Sequence, residues 1–323
     1  MSAADNSMTI GITAFNAEET IAAALDSALE QDVPVAQILV VDDVSSDGTV
    51  AIVEVYVAKD PRIELIRHTE NQGVAAARNS LIEQANGTFL AFFDDDDVSS
   101  PDRVRLQRAR IEAYEMEYAK EAPVICHTAR RQLYPDGTES VEPAMGSAPG
   151  LAPHGDAVVR FTLMGEPLAP GQFGACATCS QMGRTATYRA LGGFDPKLRR
   201  GEDSELAIRH ARSGGHLVGV SEPLVIQSMT ATSEKSLDKY HEAWLMIFDK
   251  HRDFFTSPAQ FAFSTAWIDL KHIWLAGNRA AFMRRLASLF LRHPIQTFQR
   301  ASRAMNRLQG NRIHAKFSQS IEE

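Results

Sequence analysis

Short apolar segments alternate with helical ones over residues 8–93, and this alternation limits the folds open to the chain. The apolar segments fit buried strands, and they occupy 8–15, 37–41, 63–67 and 88–93. Helical patterns fill the intervals between them, at 20–29, 49–58 and 74–85. Because repeated β-α units connect through right-handed crossovers, the sequence predicts a mostly parallel sheet with helices on both faces.

Polar loops follow three of these strands, at 13–16, 42–48 and 94–97. In open α/β sheets, ligands bind in the crevice outside the carboxyl ends of the strands. We therefore expect the three loops to converge on one site.

Four consecutive aspartates, Asp94 to Asp97, make up the third loop. Like charges repel one another at a strand end, and desolvation adds to the cost. A divalent cation relieves that repulsion, and hard oxygen ligands suit magnesium or manganese. The alternative interpretation is a solvated acidic turn before a helix that starts near Pro101.

The charge is distributed unevenly along the chain. Residues 270–321 hold ten Lys or Arg and no acidic residue, whereas residues 1–269 hold 23 basic and 39 acidic side chains. Such an acidic body without a recognition motif predicts no nucleic-acid partner. No apolar stretch approaches ~20 residues and no secretory pattern opens the chain, so cytoplasmic residence is the expectation. The three cysteines, Cys126, Cys176 and Cys179, are interpreted as ordinary buried residues.

The second half of the sequence is less regular. Residues 134–138 read as a hairpin turn. Residues 142–155 hold three prolines and three glycines and are expected to form a surface loop, either a lid or an inert excursion. From residue 237 the pattern is helical, broken at Pro258, Gly277 and Pro294, so we place a domain boundary near residue 236.

The basic end of the chain repeats an amphipathic helical pattern. Apolar residues such as Phe290 and Phe298 alternate with arginines such as Arg292 and Arg300. A basic amphipathic helix can lie in an anionic membrane surface, which predicts peripheral attachment at the inner face of the membrane through residues 279–316. The alternatives are a helical region packed on the catalytic domain and a homodimer.

Five motifs, in order, resemble those of the family 2 glycosyltransferases. They are ITAFNAEE at 12–19, ILVVDDVSSDGT at 38–49, NQGVAAARN at 71–79, the aspartate run at 94–97, and GGFD at 192–195 followed by GED at 201–203. The resemblance covers about residues 8–230. It implies a GT-A fold, which is an α/β, Rossmann-like, mostly parallel mixed sheet flanked by helices. On this basis residues 1–236 form the catalytic domain, with a nucleotide-sugar half at 1–130 and an acceptor half at 131–236, and residues 237–323 form a helical carboxyl-terminal appendage.

The resemblance also implies roles on the donor side of the site. The residues expected to bind the nucleotide sugar are Thr13, Phe15, Asp42, Asp43, Arg78, Asp94 and Asp95. The expected donor is a UDP-sugar, with Arg78 beside the diphosphate as a bidentate donor. A divalent metal, Mn²⁺ or Mg²⁺, is expected to bind mainly to Asp96, with Asp94 and Asp97 as further ligands. The alternative for Arg78 is a surface arginine on a helix.

On the acceptor side, Asp203 is the expected general base, with Glu202 as the second choice. The same residues also suit the acidic first turn of a helix at 204–213. The reaction implied is inverting transfer of a single sugar to a hydroxyl of a saccharide or lipid-linked saccharide, in polysaccharide or glycoconjugate synthesis of bacterial type. The Q-x-x-R-W motif of processive synthases is absent.

One departure and two rivals remain. Family members often carry a histidine about 25 residues after the base, but residues 225–232 contain none, which leaves the third protein ligand of the metal open. The rivals are a nucleotidyltransferase and a non-catalytic module that binds nucleotide sugar or glycan. A nucleotidyltransferase would want a glycine-rich basic loop after the first strand, whereas residues 15–19 are acidic and lack glycine.

Overall fold

The computed structural model describes residues 7–229 and 237–308, with side chains up to residue 304. Over residues 8–94 it confirms the predicted alternation of strands and helices, with most element ends within one residue of the prediction. The elements are β1 (Met8–Ala14), α1 (Ile21–Leu29), β2 (Gln37–Asp42), α2 (Thr49–Lys59), β3 (Ile63–Arg67), α3 (Val74–Gln84) and β4 (Phe89–Asp94).

The middle of the chain adds further strands and helices. In order these are β5 (Asp97–Ser99), α4 (Arg103–Tyr114), β6 (Val124–Leu133), β7 (Glu139–Glu142), α5 (Gly155–Val159), β8 (Gln181–Arg184), α6 (Thr185–Ala190), α7 (Glu202–Arg212) and β9 (His216–Ser228). A π-helical turn at Arg160–Met164 follows α5, and a 3₁₀ turn at Thr178–Ser180 precedes β8. The predicted hairpin turn at 134–138 is confirmed between β6 and β7, where the N–H of Tyr134 donates to the carbonyl of Thr138.

Within the described residues, nine strands form one mixed sheet. Its order is β3-β2-β1-β4-β8-β6-β9-β5, with β7 paired to β6. The strands β3, β2, β1 and β4 are parallel, as predicted. β8 joins β4 to β6 in antiparallel fashion, and β9 then runs parallel to β6. The two halves of the chain therefore share one sheet, which supports the α/β, GT-A-like expectation.

Two expectations for loops need correction. The aspartate run does not lie wholly in a loop after a strand, because Asp97 opens β5, pairs antiparallel with β9 and is buried. The surface loop expected at 142–155 is partly internal. Ala144 and Met145 are buried, and Ala144 pairs with Ala175 in an isolated β-bridge. Gly146, which has no side chain, lies close to the backbone of Leu217.

Side chains alternate across the central strands and enter two apolar clusters. Ile38 and Val40 of β2 pack in one cluster, with residues of α1, α2 and α4, whereas Leu39 and Val41 pack in the other, with residues of α3, α5 and α7. This period-two pattern is that of a sheet buried on both faces. The apolar runs in the sequence predict it.

The carboxyl-terminal region is helical, as predicted, with breaks at the predicted residues. Its helices are α8 (Leu237–Lys250), α9 (Pro258–Leu275), α10 (Arg279–Arg292) and α11 (Pro294–Leu308). Ile247 and Phe248 of α8 are buried in the second apolar cluster, so this helix packs against α3, α5 and α7 on one face of the sheet. The boundary predicted near residue 236 lies outside the described residues.

The last helices leave apolar side chains exposed. Leu291, Ile295 and Phe298 are 88%, 70% and 64% exposed, whereas Arg300 is buried and donates to the carbonyl of Leu163. At this point of α11 an arginine, and not the phenylalanine, faces the rest of the protein. Residues 309–316 of the predicted membrane-binding segment lie outside the described residues. Among the helices that are described, none is both long and apolar enough to cross a bilayer.

A buried ionic cluster holds α8 against α7. Glu205 of α7 is inaccessible to solvent and lies 2.8 Å from the Nζ of Lys250 and 2.8 Å from a guanidinium nitrogen of Arg209. The Nε2 of His251 lies 3.4 Å from the same carboxylate. Burial by itself raises the pKa of Glu205, but the neighbouring His251, Arg209 and Lys250 outweigh it and lower that pKa to about 2.

We expect Glu205→Gln to lower the free energy of unfolding by about 2–3 kcal/mol at pH 7, because charge-assisted hydrogen bonds are lost in a buried site. The folded-state pKa lies below the ordinary value of 4.5. The stabilisation is therefore full above pH 4.5 and is lost as the pH falls towards 2. Urea unfolding of both proteins at pH 7 and pH 3 measures this, and the difference between them should shrink at pH 3. The matched control is Glu139→Gln, whose carboxylate is 55% exposed in a 4.0 Å ion pair; it should change stability by less than about 1 kcal/mol.

Candidate functional site

One cavity of about 920 Å³ lies where β1, β2 and β4 end and α7 begins. Both halves of the chain contribute to its wall. The predicted site residues that line it are Thr13, Phe15, Asp43, Arg78, Asp94, Asp95, Asp96, Glu202 and Asp203. The predicted convergence of the three polar loops is therefore confirmed.

The loops after β1 and β2 are fastened to each other by hydrogen bonds. The N–H of Asn16 donates to the hydroxyl of Ser45 at 2.9 Å, and the N–H of Ser46 donates to the side-chain oxygen of Asn16 at 2.8 Å. The N–H of Gly48 donates to the carboxylate of Glu18 at 2.7 Å. The acidic character of the first loop thus serves to hold the second loop in place.

Asp42 and Asp43 have different environments. Asp42 is 2% exposed, accepts the N–H of Ser45 at 3.1 Å and does not line the cavity. Asp43 does line it. Of the pair, Asp43 is the residue that faces the cavity, and its contact with a nucleotide stays a prediction.

Asp43 also shapes the loop before α3. Its carboxylate accepts the N–H of Gln72 at 2.9 Å and that of Gly73 at 2.7 Å, and it lies 2.7 Å from Nδ1 of His68. Gly73 has a φ of +87°, and a Cβ there would lie 2.4 Å from a nitrogen of Arg199. The positive φ is the reason for glycine here, since L side chains rarely adopt it, whereas the guanidinium of Arg199 is the end of a flexible side chain.

Arg78 connects the two sides of the cavity. It lies on α3, is 5% exposed, and donates to Glu202 at 2.6 Å and to Asp94 at 3.1 Å. Burial alone lowers the pKa of this guanidinium, but the charges of Asp94 and Glu202 outweigh it and raise that pKa. The alternative of a surface arginine is therefore wrong, and the role beside a diphosphate stays a prediction.

The four aspartates occupy different environments. Asp94 ends β4, and Asp95 accepts the N–H of Phe15 at 2.9 Å. Burial raises the pKa of Asp95 to about 7, and the charges of Asp96 and Asp94 add to that rise. Asp96 lines the cavity, whereas Asp97 is 3% exposed beneath it.

Carboxylates and a thiol gather where a cation could be held. One ligand atom from each of Asp94, Asp97 and Cys179 lies within 4.8 Å of the others. Burial raises the pKa of Asp97 and that of the Cys179 thiol, and each is raised further by the negative charges around it. Oxygen and sulfur donors at this spacing fit a divalent cation. Asp96, predicted to be the main metal ligand, lies outside this group of three, and its assignment stays a prediction.

A buried polar cluster lies beside these groups. Arg130 of β6 is 7% exposed and donates to the side-chain oxygen of Gln227 at 2.6 Å, and Gln132 donates to the same oxygen at 3.1 Å. Burial by itself lowers the pKa of Arg130, but nearby acidic groups, including Asp97 and Asp203, raise it. The cluster places a positive charge against the wall of the cavity.

The predicted acceptor side of the cavity begins at the amino terminus of α7. Gly201 is left-handed, with a φ of +72°, and α7 starts at Glu202, two residues before the predicted start. Burial raises the pKa of Glu202, while its ion pair with Arg78 opposes that rise. Asp203 lines the cavity and accepts the N–H of Ser204 at 2.6 Å. Asp203 therefore combines both predicted features, a place in the acidic first turn and a carboxylate on the cavity.

Sequence analysis missed several residues of this wall. They are Arg130, Gln132, Cys176, Cys179, Arg199, Arg200, Gln227 and Trp244. No local pattern marks Arg130 or Gln227, because their importance depends on strand pairing between distant segments. The C-x-x-C spacing of Cys176 and Cys179 was a signal, but it was interpreted as ordinary burial.

Comparison with known proteins agrees with this geometry. Residues 9–137 match the model of Glycosyl transferase family 2. The succinoglycan biosynthesis protein ExoO of Rhizobium meliloti is 40% identical over 106 residues, which are 33% of this chain and 30% of that protein. The Escherichia coli enzyme WfgD, a UDP-Glc:α-D-GlcNAc-diphosphoundecaprenol β-1,3-glucosyltransferase, is 37% identical over 103 residues, or 32% of this chain and 40% of that protein. The chain thus spans well under half the length of these curated relatives.

Solved structures show the same fold. TarS 1–349 of S. aureus, in a crystal structure with UDP-GlcNAc, has a TM-score of 0.60 at 18% identity, covering 83% of this chain and 72% of that one. The mannosyltransferase PcManGT of Pyrobaculum calidifontis, in complex with GDP-Man and Mn²⁺, has a TM-score of 0.56 at 18% identity, covering 97% and 84%. These similarities confirm the predicted GT-A fold.

Proposed function

We propose that this chain, whose residues 9–137 belong to glycosyl transferase family 2, is a metal-dependent inverting glycosyltransferase. It moves a single sugar from a nucleotide-diphosphate sugar, with UDP as the expected nucleotide, to a hydroxyl of a saccharide or lipid-linked saccharide. The product belongs to polysaccharide or glycoconjugate synthesis of bacterial type. Relatives such as ExoO and WfgD support that assignment.

One observation carries the proposal. Arg78 bonds to Asp94, at the end of a strand of the donor half, and to Glu202, at the start of the helix that carries Asp203. The bridge brings the acidic groups of the donor half and those of the acceptor half to a single cavity. Both reacting groups of a transfer reaction have to meet in such a place.

The donor binds against the carboxyl ends of β1, β2 and β4. Thr13, Phe15 and Asp43 are assigned to the nucleobase and ribose, and Arg78, with Arg200 on the same cavity wall, to the diphosphate. When bound, a divalent metal held by the aspartates supplies Lewis-acid stabilisation of the leaving diphosphate. The identity of Asp96 as a ligand belongs to this proposal.

The acceptor side is assigned to Asp203. In an inverting displacement the acceptor hydroxyl loses its proton as its oxygen attacks the anomeric carbon, and a carboxylate within reach of that oxygen takes the proton. Glu202 is the weaker choice, because its carboxylate already accepts a 2.6 Å bond from Arg78.

A panel of nucleotide sugars tests the function. The full chain is incubated with UDP-, GDP-, ADP- and TDP-sugars, with Mn²⁺, with Mg²⁺ or with a chelator, and release of nucleoside diphosphate is followed. We expect release from one donor class only with metal, and release should rise with a saccharide acceptor. A nucleotidyltransferase would instead release pyrophosphate from a nucleoside triphosphate and a sugar phosphate. A binding module would give thermal stabilisation by a nucleotide sugar without any release.

We propose in addition that the carboxyl-terminal helices bring the enzyme to an anionic membrane surface at the cytoplasmic face, where a lipid-linked acceptor would lie. Leu291, Ile295 and Phe298 are exposed around the junction of α10 and α11, and Arg284 and Arg292 are exposed nearby. Exposed apolar side chains among basic ones suit the interface of an anionic bilayer. Packing of this surface against a second copy of the chain is the alternative.

We expect Leu291→Glu to reduce recovery of the full chain with phosphatidylglycerol vesicles at least tenfold, because insertion of a leucine contributes about 1.5–3 kcal/mol. Vesicle co-sedimentation at low and high salt measures this. Met116→Glu is the control, since Met116 is 84% exposed on the catalytic domain, and it should sediment as the parent does. If the parent protein stays in the supernatant and Leu291→Glu converts a dimer to a monomer, the surface binds a second copy instead.

A further inference from the structure

We infer that Cys179 is a protein ligand of the metal site, together with Asp94 and Asp97. Its thiolate makes the site bind Mn²⁺, Co²⁺ or Zn²⁺ more tightly than Mg²⁺. The inference deepens the proposed function, on which its role in sugar transfer rests. It concerns the ligand that the missing histidine leaves open. The binding of metal itself can be measured without any transfer reaction.

The first argument is distance. One atom from each of the three side chains lies within 4.8 Å of the other two. Metal–sulfur bonds are about 2.3 Å and metal–oxygen bonds about 2.0–2.2 Å, so two ligands on opposite sides of one ion lie roughly 4.0–4.5 Å apart. The separation of the three atoms is therefore close to that of ligands around one ion.

The second argument is the state of Asp97. This residue is 3% exposed, and within the described residues neither of its carboxylate oxygens accepts a hydrogen bond from an N–H or O–H group. Its close neighbour is the thiol of Cys179. The S–H of Cys179 is a hydrogen-bond donor beside it, but a weak one. A buried carboxylate with only such a donor is costly unless it is paired or binds a cation. An ion shared with Asp94 and Cys179 satisfies it.

The third argument is how the ligands are held. Asp94 ends β4, Asp97 is fixed by the pairing of β5 with β9, and Cys179 lies in the 3₁₀ turn that leads into β8. Since β8 pairs with β4, all three ligands are carried by one hydrogen-bonded sheet. Ligands on rigid elements form a site with little ordering cost when the ion arrives.

Gln227 lies near the same site but is not available as the ligand. Its side-chain oxygen already accepts bonds from Arg130 and Gln132, which occupy both of its lone pairs. The side-chain nitrogen of Gln227 lies 3.7 Å from the sulfur of Cys179, and a guanidinium nitrogen of Arg130 lies 4.0 Å from the same sulfur. These two donors orient the sulfur, as the outer partners of metal ligands commonly do.

The other cysteines of the chain provide controls. The sulfur of Cys176 lies 3.8 Å from that of Met145, and Cys176 is not one of the three clustered residues, although it lines the same cavity. Cys126 is buried within the sheet on β6. A thiolate signal on metal binding can thus be assigned by substituting Cys179 and Cys176 separately.

The ligand set also sets the preference among metals. Carboxylates suit Mg²⁺ and Mn²⁺ alike, whereas a thiolate favours the softer ions. Replacing the sulfur with an oxygen in Cys179→Ser should therefore weaken binding of Mn²⁺ and Co²⁺ by at least about 10–100-fold. Binding of Mg²⁺ should change much less, so that the affinities for Mn²⁺ and Co²⁺ come closer to the affinity for Mg²⁺.

The experiment is metal titration of the full chain, reduced and under exclusion of oxygen, with Co²⁺ and Cd²⁺ followed by ultraviolet absorption and Mn²⁺ and Mg²⁺ by calorimetry. We expect a thiolate-to-metal charge-transfer band in the parent protein and in Cys176→Ser, and none in Cys179→Ser. Because a buried serine could unsettle the fold, circular dichroism and the thermal midpoint accompany each variant. The inference can also be supported without the Cys179 variant. In that case the band is present in the parent and in Cys176→Ser, and bound metal protects the Cys179 thiol from alkylation.

Two results would overturn the inference: metal binding to the parent without a thiolate band, or a band that survives in Cys179→Ser and disappears in Cys176→Ser. Neither result bears on whether the chain transfers sugar. Conversely, a Cys179-dependent band in a protein that uses no nucleotide sugar would support the site and refute the proposed function.

Discussion

Asp203→Asn is expected to lower the rate of sugar transfer by about 10²–10⁴-fold while leaving affinity for the nucleotide sugar nearly unchanged. General-base catalysis by a positioned carboxylate contributes rate factors of that order. The carboxylate lines the cavity, and its neighbour Glu202 is already bonded to Arg78 and cannot replace it without breaking that pair. Single-turnover transfer and calorimetric binding of the donor, measured on the same preparations, separate the two effects.

The matched control is Asp249→Asn, which removes a carboxylate that is 76% exposed on α8. It should transfer sugar at the parent rate. A parent-like rate in Asp203→Asn would refute the assignment of the base, and Glu202→Gln would then be the next variant to measure. A parallel loss of donor binding in Asp203→Asn would show that the residue acts through the structure of the site.

Arg78→Met is expected to destabilise the folded protein by about 3–5 kcal/mol and to reduce transfer by at least about 10²-fold. The substitution keeps much of the side-chain volume but leaves Asp94 and Glu202 partly buried and without their shared cation, and breaking a buried ion pair has a cost of that size. It also loosens the contact that brings the two halves of the cavity together, and small displacements of reacting groups cost about 10²-fold in rate. Urea unfolding and donor turnover measure the two effects.

Arg105→Met is the matched control for charge. Arg105 is 45% exposed and pairs with Asp32, which is 35% exposed, so its loss should cost less than about 1 kcal/mol. Arg78→Lys keeps the charge but cannot make both bonds in the same geometry, so it should recover part of the stability and little of the activity. Equal stability of Arg78→Met and Arg105→Met would contradict the bridging role.

Much of the fold could be predicted because its signals are local. The apolar runs of β1 to β4 each carry the pattern of a strand buried on both faces, and the helices between them follow from spacing and turn residues. The rule that ligands bind at the carboxyl ends of parallel strands then placed Thr13, Asp43 and Asp94 together. Helix breaks at Pro258 and Pro294 were equally local and equally predictable.

The part of the cavity wall formed by the second half of the chain depended on contacts between distant residues. Arg78 and Glu202 are 124 positions apart, and Arg130 and Gln227 are 97 apart. No local sequence pattern indicates such pairs, because they form only when β8 and β9 have joined the parallel strands in one mixed sheet. The position of Cys179 beside Asp94 and Asp97 has the same origin, so its spacing to Cys176 could not indicate it.

The aspartate run shows the division most clearly. Sequence alone determined that four carboxylates follow a buried strand, that their repulsion favours a cation, and that they match a family motif. The tertiary structure decided how they differ, because Asp95 bonds the backbone of Phe15, Asp96 lines the cavity, and Asp97 enters β5 and is buried beside Cys179. The physical reason is that strand pairing and burial fix the direction, solvation and neighbours of each side chain, and these depend on residues far away in the chain.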